Sequence, residues 1–473
     1  MIFLYKMSCL LTVAMVMLIC LTRLLGRRYD VASWRNLFLL GFSLFYGIGG
    51  YMTIDFLSPS ENAMTMLALL APTFLIIFML SNLIGSRATA IDRLPSLNIM
   101  PTPSAIFLVI GVTLGLSLLS AATSAIGYFS ALATQFKEGL AFTAVGLAAY
   151  YAVARRLSPI GLAVLGGTLL AAILIATVGT SGRRGMLGAL LCVGWMWWYV
   201  WLRYRPISST FVRGGAVAVA AALLVIVYSG VRMQGEGGAT LGNRATQLQQ
   251  MITNPRIDSR IVRGMLAQDA PSHTMFIIDN YGETFDHLPL HGLHYFVVNP
   301  IPRFLYEDKP IGLGLLLKEQ RDETANLGPG IIGHGWAEAK FVGVVYYAIF
   351  FGLLTAFVDR YLRNRAADPF TVAIFGTSLG NIVAMSRGET SLFLIHATTS
   401  AVIAIFVLVG LKVVAGPFMR VGLPIYPKLP DGWSEPDDAE FERDPAAAEA
   451  YGAGAYDRDH DHDTGTWGAP ARA

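Results

Sequence analysis

Charge is scarce in this sequence. Of its 473 residues 14% are Asp, Glu, Lys or Arg, while 54% are hydrophobic. A soluble domain carries about a quarter charged residues, so a purely water-facing globule is excluded. Cysteine is scarcer still. Cys9, Cys20 and Cys192 all lie in apolar runs, without a CxxC pair or a disulfide framework, and read as buried structural thiols. A P-loop is lacking, as is a GxGxxG between strand and helix, which leaves an ATP-driven machine unsupported. No basic domain with interleaved aromatics is present, so no nucleic-acid partner is expected. No internal repeat of fixed period is evident, and the net charge of +3 says little about partners.

What is present is a series of long apolar runs. A spanning helix needs about 20 mostly apolar residues. Such runs fall at 2–22, 34–54, 64–84, 105–126, 138–154, 160–179, 185–202, 214–231, 337–358, 369–386 and 391–414. The expected fold is therefore all-α, a polytopic membrane bundle of about eleven spans. The 138–154 run is short, and 129–137 before it reads as re-entrant or interfacial. Four parts are expected: helices one to eight over 1–231, a large extracytoplasmic loop with short helices over 232–336, helices nine to eleven over 337–415, and a largely disordered cytoplasmic tail over 416–473.

Orientation follows from the short loops. Arg23, Arg27 and Arg28 follow the first run, Arg87 and Arg93 the third, Arg155 and Arg156 the fifth, Arg203, Arg205 and Arg213 the seventh, Arg360, Arg363 and Arg365 the ninth, and Arg420 the last. Alternate loops are thus basic and should face the cytoplasm, with the N-terminus outside and the C-terminus inside. The first run carries its positive charges after the apolar stretch, the reverse of a cleaved signal peptide.

Some cations break this pattern. Arg183 and Arg184 lie between runs six and seven, and Arg387 between ten and eleven, all on the expected outer side. A charge near membrane depth is costly unless paired or hydrated, so arginines at the mouth of a bundle point to an ion or substrate path; snorkelling at the interface is the plainer reading. The outer loop adds an N-P-R helix start at 254–256 that would put Arg256, Arg260 and Arg263 on one face. His287, His291 and His294 share helical spacing, interrupted by Pro289, and no zincin motif accompanies them, so no metal is expected. The His460–Asp463 cluster in the tail reads as a solvated polar stretch. Three prolines stiffen the 299–310 passage, which presents Arg303, Glu307, Asp308 and Lys309. A Gly-rich stretch, 328–335, then leads through His334 to Glu338, where a carboxylate at a helix start also suits a capping role.

The I-P-R-x-L-x-x-x-K-P passage at 301–310, the Gly-rich run leading to Glu338 and Phe341-Val342-Gly343, and the Gly182-Arg183-Arg184 element resemble the oligosaccharide repeat-unit polymerases, the Wzy-type O-antigen and exopolysaccharide polymerases. The resemblance covers the helix plan, with sharp motif matches over some tens of residues. It implies a GT-C-like membrane glycosyltransferase of the bacterial inner membrane that acts on polyprenyl-diphosphate-linked oligosaccharides and needs no cofactor or metal. A flippase and a chain-length regulator would be its partners, beside the lipid bilayer. Arginine suits a diphosphate leaving group because it is always charged and binds phosphate oxygens bidentately. Arg183, Arg184, Arg303 and Arg387, supported by Lys309, are the candidate diphosphate ligands. Glu338, His334 and Asp308, with Glu307, are the candidate bases for the acceptor hydroxyl. An O-antigen ligase-like transferase shares this donor chemistry. A transporter or flippase of a lipid-linked or anionic solute is the rival from another class, and a scaffold without chemistry a third.

Overall fold

The computed structural model describes residues 1–25, 31–57, 59–123, 130–177, 184–204, 207–232, 270–301, 305–323, 327–363 and 365–427, together with 246, 249, 250 and 253. In chain order the helices are α1 (Ile2–Leu25), α2 (Trp34–Phe42), a π-helical stretch (Ser43–Gly49) running into α3 (Gly50–Thr53), α4 (Glu61–Gly85), α5 (Pro103–Thr123), α6 (Ser130–Ala154), α7 (Pro159–Thr177), α8 (Arg184–Val200) and α9 (Ile207–Arg232). There follow three short helices, α10 (Ala270–Asn280), α11 (His291–Val298) and α12 (Leu313–Gln320). The last four are α13 (Gly330–Arg363), α14 (Pro369–Gly376), α15 (Leu379–Ala384) and α16 (Thr390–Met419). Among the described residues the β structure is confined to an isolated bridge between Tyr281 and Phe285.

Among the described residues six helices are long and apolar enough to cross a membrane: Ile2–Thr22, Glu61–Gly85, Pro103–Thr123, Pro159–Thr177, Gly330–Arg363 and Thr390–Met419. The chain is a multi-pass helical membrane protein. Helices also occupy the other five apolar runs, in forms the run lengths do not reveal. The 34–54 run is divided among α2, the π-helical stretch and α3. The 369–386 run is divided between α14 and α15, and α8 has 17 residues. Residues 130–137, expected to be re-entrant or interfacial, form the first turns of α6 instead. Lys137 and Glu138 are buried there, and the Ser117 hydroxyl donates to the Lys137 carbonyl at 2.6 Å.

The core is aromatic. Phe38 stacks on Phe78 with ring centroids 4.9 Å apart and on Phe351 at 5.7 Å. Phe42 stacks on Phe74 at 5.1 Å and on Tyr46 at 4.9 Å. These rings bind α2 to the side-by-side pair α4 and α13, which Asn82 ties further by donating to the Gly352 carbonyl at 3.2 Å and Thr355 Oγ1 at 3.1 Å.

The basic loops gather at one end of the bundle. Arg360 on α13 pairs with Asp92 after α4 and donates to the Ser86 carbonyl at 2.7 Å. Lys412 reaches the Leu97 carbonyl at 2.7 Å, and Tyr150 the Ile425 carbonyl at 2.7 Å. Asp359 accepts from the backbone N–H groups of Trp34 and Arg35 at 2.7 and 3.2 Å, closing the N-terminus of α2. The opposite end carries the Lys6–Asp55 ion pair at 2.8 Å, a 2.5 Å hydrogen bond from Ser60 to Asp279, and the docked helices α10 to α12.

Truncating a fully buried ring leaves a cavity that costs about 3–5 kcal/mol. Phe38→Ala is therefore expected to lower thermal stability in detergent strongly. Val413→Ala, on the outside of α16 and 77% exposed, should leave it nearly unchanged. Equal effects of the two would contradict the aromatic core.

Candidate functional site

The site starts from a reversal inside α13. Ala339 (φ −155°, ψ 39°) and Lys340 (φ 49°, ψ −134°) break the helix, and the chain turns back on itself. Gly335 and Gly343, eight residues apart, then press backbone to backbone; a methyl group on Gly343 would collide with the Gly335 carbonyl. An unbroken helix would hold such residues about 12 Å apart. The first half, 330–338, is thereby tucked into the bundle. Its start is held by Tyr46, whose hydroxyl accepts from the Ile332 N–H at 3.2 Å and lies 3.0 Å from Thr274 Oγ1 on α10. The second half, 341–363, crosses the bundle.

This fold-back buries His334 and Glu338 at 0% and 4% exposure. Glu338 was expected to begin a spanning helix. It lies instead at the end of the tucked half and closes a different helix: its Oε1 accepts the Gly292 N–H in the first turn of α11 at 2.6 Å. The same oxygen accepts from the Tyr347 hydroxyl at 2.8 Å and lies 3.3 Å from His334 Nε2. Ser391 Oγ lies 3.2 Å from that nitrogen. Gly292 sits so close to Tyr347, Ser391 and Glu338 that any side chain there would strike all three.

A serine–histidine–carboxylate relay uses the two ring nitrogens separately. Here one nitrogen faces both Ser391 and Glu338, so the cluster is not such a relay. His334 Nδ1 is buried without a hydrogen-bond partner. With Nε2–H directed at Glu338, Nδ1 presents a bare lone pair to a proton donor.

The first turn of α16 is the hub. Ser391 belongs to it, and Glu389 precedes it. The Glu389 carboxylate accepts from the Gly314 N–H at 3.4 Å, in the first turn of α12. Burial raises its pKa, opposed by the field of His334 and by the backbone donors of Gly314 and Leu313. Phe393, one turn on, packs against Gly388 and carries the Arg184 guanidinium 5.0 Å from its ring centroid. Arg184 also lies 3.2 Å from His396 Nδ1 and within electrostatic range of Glu138. Arg184 thus lies on this ring, and Arg387 is the residue before the glycine packed against it. Arg387 is exposed, and its charge, with that of Arg321, acts on His273.

Other sequence candidates fall elsewhere. Lys309 donates to the carbonyls of Asn299 and Ile301 and so braces its own loop. Glu307 and Asp308 are exposed on the same loop, whereas His334 and Glu338 are buried. Arg183 and Arg303 lie outside the described residues, as do Arg256, Arg260, Arg263 and the histidines of the tail. His287 stands before α11 and meets the Ala337 carbonyl at 3.2 Å, while His291 meets the Ile311 carbonyl at 2.9 Å. Among the described residues no group of three or more His, Cys, Asp or Glu side chains could hold a metal. Sequence reasoning missed Tyr347, Ser391, Arg321, Lys137 and Glu138. The last two were legible as charges adjoining an apolar run; a tyrosine and a serine in spanning helices carry no such signal.

Burial, reinforced by Arg321 and Arg387, pushes His273 down to about 4, and burial with the field of His334 lowers His291. The folded state therefore favours neutral imidazoles, and the unfolded chain takes up more protons below the ordinary value of 6.5. Stability is expected to be complete above that value and to decline as pH falls toward about 4. His273→Gln should flatten part of that slope, measured as the unfolding midpoint against pH; a profile unchanged by the substitution would contradict the assignment. Comparison with family models, curated proteins and solved structures finds no match to this chain.

Proposed function

We propose that the protein is a membrane glycosyltransferase that polymerises polyprenyl-diphosphate-linked oligosaccharides on the outer side of the bacterial inner membrane. The observation that carries this reading is that Arg184 and the buried His334 both meet the first turn of α16, at Phe393 and Ser391, with Arg387 three residues before that turn in the chain. Intramembrane ionisable groups are costly and mark function by default. The end of the bundle opposite α10–α12 holds the basic loops, which agrees with an N-terminus outside, a C-terminus inside, and the α10–α12 end facing outward. Counting every apolar run as a crossing gives the eleven spans of the proposed GT-C-like topology.

In this reading Arg184 and Arg387, helped by Arg321, whose charge acts on His273 as that of Arg387 does, and by Arg183 and Arg303, hold the diphosphate and neutralise the charge it gains on departure. The bond between the sugar anomeric carbon and the phosphate oxygen breaks. A new bond forms to the acceptor hydroxyl oxygen, and its proton passes to His334 Nδ1. Glu338 orients the imidazole and closes α11, so His334 is the better base of the two. Its burial beneath α11 means that α11 must shift as the acceptor enters. Asp308 would serve only an acceptor held at the exposed loop. Lys309 supports that loop, and the apolar faces of the bundle accommodate the polyprenyl chain.

His334→Ala, Arg387→Ala and Arg184→Ala are expected to cut polymer formation by roughly 100-fold or more, the scale of a lost general base or charge-stabilising group. Arg183→Ala and Arg303→Ala should act in the same direction. Single lipid-linked units should accumulate while the protein remains inserted. Polymer of normal length in the His334 and Arg387 variants would contradict the proposal. Loss of glycan from a final lipid acceptor, with polymer still made on the carrier, would identify the ligase-like reaction instead.

A further inference from the structure

The short helix α11 has two unlike faces. Gly292 is pressed onto Glu338, Tyr347 and Ser391, whereas Leu290, Leu293 and Val297 on the opposite side are 59%, 47% and 61% exposed. Scattered exposed leucines are ordinary on any protein. Leu293 and Val297 share one helix face, four residues apart, and Leu290 stands immediately before the helix. Leu290 also holds a left-handed backbone (φ 54°), which Asn or Gly would adopt with less strain. A leucine kept there supplies its side chain rather than its backbone.

The height of α11 on the bundle decides what covers this face. Gly292 is seated against Glu338, just before the turn in α13, against Ser391, the second residue of the spanning α16, and against the hydroxyl end of Tyr347, so α11 lies at the level where the crossing helices begin. The turn from which that half departs exposes Phe341 and Val342 at 50% and 70%, and the outward row continues through Tyr346 and Ile349. The backbone of Leu288, just before α11, is bonded to Ala337 at this same turn. α11 is therefore fastened beside the turn from which the exposed apolar row of α13 sets out.

We infer that α11 is an interfacial helix whose Leu290–Leu293–Val297 face rests in the acyl-chain boundary of the outer leaflet. Amphipathic helices of this kind bury their apolar face roughly 5–10 Å into that boundary. His294, exposed at the edge of the face, is the polar group that would turn toward the headgroups. The inference stands apart from the proposed glycosyl transfer: it needs the placement of α11 on α13, and only the naming of the leaflet rests on the proposed orientation.

The test uses the full-length protein in nanodiscs of phosphatidylcholine and phosphatidylglycerol. Cysteine is introduced as Leu293→Cys or Val297→Cys and labelled with an environment-sensitive fluorophore; label taken up by the wild-type chain is subtracted. Phe341→Cys serves as the lipid reference and Glu307→Cys as the water reference. Lipids carrying a quencher just below the headgroup should quench the 293 and 297 labels nearly as strongly as the 341 label, and several-fold more than the 307 label. Quenching no greater than at 307 would overturn the inference, whether water or protein covers the face. Crosslinking of the 293 label between two copies, with no lipid quenching, would assign the face to a dimer and overturn it equally.

Discussion

A helix that ends inside or beside a membrane needs partners for the N–H groups of its first turn, and water is not at hand to supply them. In this protein carboxylates from neighbouring helices do so. Asp359 of α13 closes α2, Glu338 of the same helix closes α11, and Glu389 before α16 closes α12. Each acid also meets the positive end of the helix dipole, which lowers the cost of keeping a charge there. In a chain so poor in acidic residues, three of them thereby decide where other helices begin and to what they are fastened.

The fold-back within α13 and the capping by Glu338 depend on each other. The reversal at Ala339 and Lys340 puts a backbone residue in left-handed space, and brings Gly335 against Gly343 where side chains would not fit. The gain is the tucked half, which carries His334 and Glu338 into the buried interior. Tyr46, Thr274 and the Ser386 carbonyl take up the polar groups of its opening turn. What results is a polar cluster enclosed by aromatic and aliphatic side chains, an environment in which an unsatisfied nitrogen such as His334 Nδ1 is expensive unless used.

The plan of the bundle was legible in the sequence because its signals are local. Among the described residues six of the apolar runs gave helices long and apolar enough to cross a membrane, and the other runs fell on helices of other forms. Some of the alternate basic loops lie near one another at one end, where Arg360 meets Asp92 and Ser86. His334, Glu338 and Arg184 were legible as polar residues beside such runs. The partnerships were not. That Glu338 caps a helix begun 47 residues earlier at His291, or that Ser391 reaches His334, follows from packing at long sequence separation. The breaks inside 34–54 and 369–386 left no mark in hydropathy, because a π-helical stretch or a bend does not alter how apolar a run is. The expected interfacial turn before 138 was misread for a related reason: Lys137 and Glu138 look like a boundary until the buried surroundings that hold them are known.

The central claim is that bundle carboxylates hold the outer helices in place one by one. Amide hydrogen exchange in nanodiscs tests it by crossing two variants with two helices. Glu338→Ala should release protection in 291–298 and spare 313–320, and Glu389→Ala should do the reverse. Protection unchanged in both helices, or lost equally from both in either variant, would contradict it.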